Sequence, residues 1–136
     1  MRTAGMAFGS HTWSHQNLAE LPTTLASAEL RCSKELMEDR TGVAVAAIAY
    51  PFGQLGHHVN DETVSLAAAA GYEQGYVSLP RSLAARDTQL RIPRFGVGGD
   101  TVDSLAAKVR GDIDWHALVH EHLPRRLSRA LFPVYP

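Results

Sequence analysis

The sequence predicts an α/β fold built on a parallel sheet, and three observations carry that expectation. Short apolar runs that stop at glycine or proline alternate with stretches of helical periodicity. Val43 to Tyr50 is continuously apolar and contains β-branched Val43, Val45 and Ile48, the pattern of a strand covered on both faces. Helix-capping residues stand where that alternation needs them, Gly42 after one periodic stretch and Asn60 before the next.

The elements follow in order. Met6-Ala7-Phe8 reads as the end of a strand. Leu25, Ala28, Cys32 and Leu36 recur at helical spacing, which predicts a helix over about Thr24 to Thr41 with that stripe, Cys32 included, turned to the core. Val43 to Tyr50 is the next strand, stopped by Pro51 and Gly53. Asn60 caps a second helix, with Asp61 and Glu62 placed favourably against its dipole, a stripe of Val64, Ala67 and Ala68, and Gly71 at its end. Gly75 to Ser78 reads as a strand, and the polar, proline-containing Leu79 to Gln89 as a loop. Ile92 to Val97 is a short strand near an edge, because Pro93 lacks a donor. Two helices, about Thr101 to Arg110 and Trp115 to Leu131, close the chain, the second with Trp115, Leu118, Val119 and Leu123 inward. One domain over 1–131 with a tail at 132–136 is expected, without repeats or low-complexity segments.

Composition narrows the function. A chain of 136 residues buries roughly 68–70% of its unfolded surface, enough for a core. Apolar residues make up 45% and charged residues 20%, a globular balance. A net charge of −1 leaves no electrostatic case for nucleic acid or an anionic membrane, and Arg125, Arg126 and Arg129 read as a solvated helix end. Cys32 is the only cysteine, which excludes an intrachain disulfide and a structural Cys₄ or Cys₂His₂ zinc site. No apolar run approaches ~18 residues, so no transmembrane segment is expected. No apolar stretch follows Arg2, so no signal peptide is visible and the compartment stays open.

The stretch Gly9 to Leu18, GSHTWSHQNL, carries the chemistry. His11 and His15 follow a strand candidate, which puts them at a strand's carboxyl end, where α/β folds usually hold their sites. Two imidazoles four residues apart can meet one metal on a loop that folds back, with Thr12 and Ser14 bonding the loop backbone and fixing the rings. The plainer alternative is a polar loop whose histidines face water.

Taken together, AGMAFGSHTWSHQNL, AIAYPFG, AAGYEQGYV and RIPRFGV resemble the polysaccharide deacetylase family, the NodB-homology or carbohydrate esterase family 4 domain, over about Gly5 to Arg110. The resemblance implies a partial irregular (β/α) barrel. It implies that His11 and His15 bind a divalent metal, usually zinc, and that Thr12 braces their loop. It implies that Tyr50, Pro51, Phe52 and Gly53 line the site, the backbone N–H of Phe52 helping to bind an oxyanion. Many members carry an arginine where this chain has Ala49, a variant associated with the exopolysaccharide-deacetylase branch. The implied reaction is metal-assisted removal of N-acetyl groups from an amino sugar, so the partner is an N-acetylated glycan, and members are often extracytoplasmic.

The same resemblance exposes a gap. The family's Asp-Asp pair, catalytic base and third metal ligand, lies upstream of the histidine motif, whereas Met1 to Ser10 contain no Asp or Glu. The first strands of the barrel are therefore expected to be missing, no catalytic base is assigned, and weak or no activity is expected of this chain, whose Met1 reads either as a start or as an internal methionine. The opened sheet edge invites an oligomer. The alternative is a non-catalytic remnant acting as a carbohydrate-binding or assembly partner. Asp61, Asp100, Asp103, Asp112 and Asp114 have plainer roles at helix starts, turns and polar faces.

Other residues are open. Trp13 is either a stacking platform for a sugar or packing over the strand ends. His57-His58 reads as a solvated loop that could face the sugar, and His116, His120 and His122 as part of an amphipathic helix. Arg94 could reach the site or form an edge salt bridge; Tyr72 and Tyr76 read as core or sheet residues.

Overall fold

The computed structural model describes residues 5–112. They form two compact units, one from 5–79 with 83–94 and one from 80–82 with 95–112. The first unit holds a four-stranded parallel sheet in sequential order, β1 (Gly9–Ser10), β2 (Ala47–Ala49), β3 (Gln74–Ser78) and β4 (Ile92–Arg94). The registers pair Ser10 with Ile48, Ile48 with Gly75, and Tyr76 with Ile92. Helix α1 (Thr23–Thr41) connects β1 to β2, and α2 (Asp61–Ala69) connects β2 to β3. Among the described residues β4 pairs on one side only, so Pro93 sits at an edge, where a residue without a donor is tolerated.

Local chemistry sets the helix ends. Gly42 takes the left-handed conformation, φ 65°, and its N–H bonds Glu38 O. The Asn60 side chain accepts from Thr63 N at 2.8 Å. The core joins the sheet to both helices through Leu30, Val45, Ile48, Tyr50, Ala67 and Val77, none more than 1% exposed.

Two expectations are corrected. Within Val43 to Tyr50 only Ala47–Ala49 is strand, and burial is discontinuous, with Val45, Ile48 and Tyr50 inside and the alanines between them only partly covered. The alanines are small enough to mimic a doubly buried run without being one. On α1 the buried residues are Ala26, Leu30 and Ser33, while Leu25 is 55% exposed and Cys32 is exposed. The helix buries its Ala26, Leu30 and Ser33 face, and Ser33 is admitted because its hydroxyl is satisfied. Ser33 Oγ lies 2.9 Å from Ser10 Oγ and 3.2 Å from Tyr72 OH, and Tyr72 OH donates to Leu30 O at 3.0 Å. A stripe of apolar letters therefore does not mark the core face here.

In the second unit, α3 (Val102–Arg110) is capped by Thr101, whose side chain accepts from Ser104 N, and by left-handed Gly111. Lys108 pairs with Asp100 and also donates to Gly96 O at 2.9 Å, so Asp100 closes the Gly-Gly-Asp turn as expected. Asp100 is held below the usual carboxylate range chiefly by the Lys108 hydrogen bond. No described helix is long and apolar enough to cross a membrane. The expected helix Trp115 to Leu131, with its histidines, and the tail lie outside the described residues.

Candidate active site

The carboxyl ends of β1, β2 and β4 converge in the first unit, and the histidine loop, the Tyr50–Gly53 loop and Arg94 stand there. His11 follows β1 directly. Its Nδ1 lies 2.5 Å from Ala49 O, the last residue of β2. A carbonyl can only accept, so Nδ1 carries the proton, and in the neutral ring the Nε2 lone pair is free to bind a cation. His15 comes back against His11, ring centroids 4.7 Å apart and edge-on. Both histidines are exposed.

The loop between them is tightly tied. Thr12 N donates to Ser10 Oγ at 3.2 Å, and Thr12 Oγ1 accepts from His15 N at 3.2 Å. Glu29, one helical face of α1 away, accepts from Trp13 N and Ser14 N at 2.9 Å each and from Ser14 Oγ at 2.6 Å. Partial burial raises the Glu29 carboxyl, but the hydrogen bonds from Ser14 and Trp13 outweigh it and hold the group below its ordinary value. Sequence reasoning missed Glu29, because nothing local ties a helix glutamate to amides 15 and 16 residues upstream.

The second loop meets the first through Phe52. Its ring lies 4.9 Å from His15, edge-on. Tyr50 and Pro51 are fully buried, so of these residues it is Phe52 that reaches outward, 53% exposed. Tyr50 OH donates to Leu90 O at 3.1 Å, and burial pushes the phenol up to about 12. Ser78 N donates to Gly53 O at 2.8 Å, and Arg94 Nη2 donates to Tyr50 O at 3.3 Å, so Arg94 does reach this loop. Gly53 has φ 72°, and a Cβ there would stand 2.7 Å from Ser78 N, which admits glycine alone.

Backbone strain gathers at the same place. Among the described residues, the non-glycine residues with positive φ are Thr12 (65°), His15 (59°) and Phe52 (58°). Such conformations cost about 1–3 kcal/mol each and persist where surrounding structure over-determines them, commonly at functional sites.

The remaining candidates divide. Trp13, 62% exposed, lines two shallow grooves of about 280 and 320 Å³ beside α1 with residues such as Leu25, Cys32 and Met37. His58 stacks toward Phe52 at 5.1 Å, so the His57-His58 turn borders the site. Asp61 is at the start of α2, where it pairs with Arg91. For a cation, the two imidazoles fit as neutral ligands from one tied loop, but among the described residues no group of three His, Cys, Asp or Glu could hold one. Zinc normally takes three or four ligands, so the two imidazoles alone fall short of a complete zinc site among the described residues.

The polysaccharide deacetylase family model matches residues 1–75. The chain belongs to the polysaccharide deacetylase family. It is similar in structure to a Streptococcus pyogenes deacetylase, PplD, solved in complex with acetate, with 25% identity and a TM-score of 0.70, covering 79% of this chain and 46% of that one. It is also similar to a polysaccharide deacetylase from Bacillus cereus, with 28% identity and a TM-score of 0.68, covering 79% of this chain and 34% of that one. The chain thus spans less than half the length of either. No curated protein matches it. The parallel sheet with helices on its connections agrees with the partial barrel expected of this family deacetylase domain.

Proposed function

We propose that this chain carries the metal-holding and oxyanion-binding half of a hydrolase that removes N-acetyl groups from a polysaccharide or oligosaccharide. The observation that carries this reading is the convergence of His11, His15 and Phe52, ring against ring, on two strained loops at the carboxyl end of a parallel sheet. His11 and His15 would hold a divalent cation, zinc by family habit, with His11 Nε2 as donor because Nδ1 is committed to Ala49 O. When bound, such an ion supplies Lewis-acid polarisation of the acetyl carbonyl and a lowered pKa for the attacking water. The chain's own residues do the rest. Glu29 keeps the histidine loop closed. Arg94, Ser78 and buried Tyr50 hold the second loop, so that the Phe52 N–H can donate to the developing oxyanion without reorganising. The family's acetate-bound relative supports acetate as the product released.

As it stands, the chain is proposed to be weakly active or inactive. Two neutral nitrogens are a poor zinc site without a carboxylate, and loss of a general base typically removes 10²–10⁴-fold in rate. The second reading, a non-catalytic carbohydrate-binding or assembly partner, is favoured by the missing third ligand among the described residues. β1 pairs on one side only among those residues, an edge that an oligomer could cover. Zinc content and acetate release from an N-acetylglucosamine oligomer test the proposal. Zinc binding lost in His11→Ala and in His15→Ala supports the metal pair; zinc retained by both variants refutes it. Acetate release well above background would overturn the expectation of weak activity.

A further inference from the structure

The row of rings continues past the histidine pair. Phe52, edge-on to His15, also meets His58, 5.1 Å away and tilted by 43°. The turn that carries His58 is firmly built. Gln54 O accepts from the N–H groups of His57, His58 and Val59 at 3.3, 2.9 and 3.2 Å, and Gly56 N donates to Val59 O at 2.8 Å. Val59 is 1% exposed and anchors the turn in the core. Asn17 Nδ2 reaches across from the histidine loop to His57 O at 3.4 Å. His58 therefore sits half-buried on a turn held by its own hydrogen bonds.

Its protonation pattern follows from one bond. His58 Nδ1 accepts from Gln54 N–H at 3.3 Å. A ring nitrogen that accepts from an amide carries no proton, so in the neutral imidazole the proton is on Nε2. Among the described residues no group accepts from that N–H. The site then ends in a half-exposed aromatic face, Phe52, with one unengaged donor beside it. A pyranose has the matching surface, an apolar ring face rimmed by hydroxyl and acetamido oxygens.

We infer that His58 is a glycan-binding residue, donating from Nε2 to an oxygen of the sugar that lies over Phe52. This rests on the proposed glycan site and adds a recognition residue to it. Two substitutions separate the donor from the turn. In His58→Asn, the amide oxygen can take the place of Nδ1 and keep the Gln54 bond, but the distal donor is gone. In His58→Gln, the amide nitrogen restores a donor near the position of Nε2.

The full chain is titrated calorimetrically with an N-acetylglucosamine tetramer, and separately with zinc. The expected result is about 5- to 10-fold weaker tetramer binding for His58→Asn, the loss of one neutral hydrogen bond, with His58→Gln close to the parent. Zinc affinity stays unchanged throughout. Tetramer binding by His58→Asn equal to the parent, equal weakening by both variants, or no binding by the parent overturns the inference. Acetate release is read in parallel. A parent that binds the tetramer and loses affinity in His58→Asn, yet takes up no zinc, leaves His58 standing and sinks the metal-dependent hydrolase reading.

Discussion

Replacing Glu29 by Ala should loosen the histidine loop and weaken metal binding without disturbing the fold. The carboxylate accepts three hydrogen bonds, from Trp13 N, Ser14 N and Ser14 Oγ. Bonds to a charged acceptor are worth about 1.5–3 kcal/mol each when buried. Trp13 and Ser14 are exposed, so water replaces part of each bond, and a total of about 2 kcal/mol is reasonable. If His15 must be reordered before both imidazoles meet an ion, that energy appears as roughly 30-fold weaker zinc binding. The assay is competition against a chromophoric chelator at neutral pH, with Glu29→Gln expected between the parent and Glu29→Ala. The sign of the pH effect follows from the carboxyl lying below its ordinary 4.5 in the folded chain. The folded state binds that proton less readily than the unfolded one, so the clamp's stabilisation is complete above about 4.5 and is lost as pH falls through the lower folded value. In the metal-free chain, the Trp13 and Ser14 amide resonances should shift over that window and not in Glu29→Ala. Zinc affinity of Glu29→Ala within threefold of the parent, with the fold intact, would refute the reasoning.

Gly53→Ala should cost about 3 kcal/mol, combining left-handed strain of about 1–2 kcal/mol with loss of the Ser78 N to Gly53 O bond. Gly56→Ala, also left-handed but with open space at its Cβ, should cost only the strain, so equal melting temperatures for the two variants would contradict the packing argument. Leu30→Ala, at a fully buried position, should lose about 3 kcal/mol and roughly 10 °C in Tm, while Leu25→Ala on the exposed stripe should shift Tm little; a reversed order would restore the stripe to the core. Cys32 in the folded chain should react with an aromatic disulfide reagent within minutes and without denaturant, and protection until unfolding would show that face covered.

Residues that act through immediate neighbours were legible from the start. Gly42 and Asn60 stand where one helix ends and the next begins, because a cap is decided by the conformation and side chain of one residue. Pro93 marked an edge strand for the same local reason. The histidine loop was legible as a motif, and Thr12 braces it as expected. Glu29, Arg94 and His58 were harder. Their contacts close over 15, 44 and 6 residues, to Ser14, Tyr50 and Phe52, and the connecting chain carries no signal of the closure.

What the sequence by itself determined was the alternation of elements, their ends, and the presence of two histidines after a strand. All of these depend on side-chain chemistry within a few residues. Only the tertiary structure decided which side of α1 is covered, how His11 is oriented, and which rings meet. A parallel sheet accepts the helix face that packs closest, and here that face is Ala26, Leu30 and Ser33, with a buried hydroxyl satisfied by Ser10 of β1. The direction of the His11 ring likewise depends on a carbonyl of the neighbouring strand, 38 residues away, because hydrogen bonds form between groups that folding brings together regardless of their order in the chain.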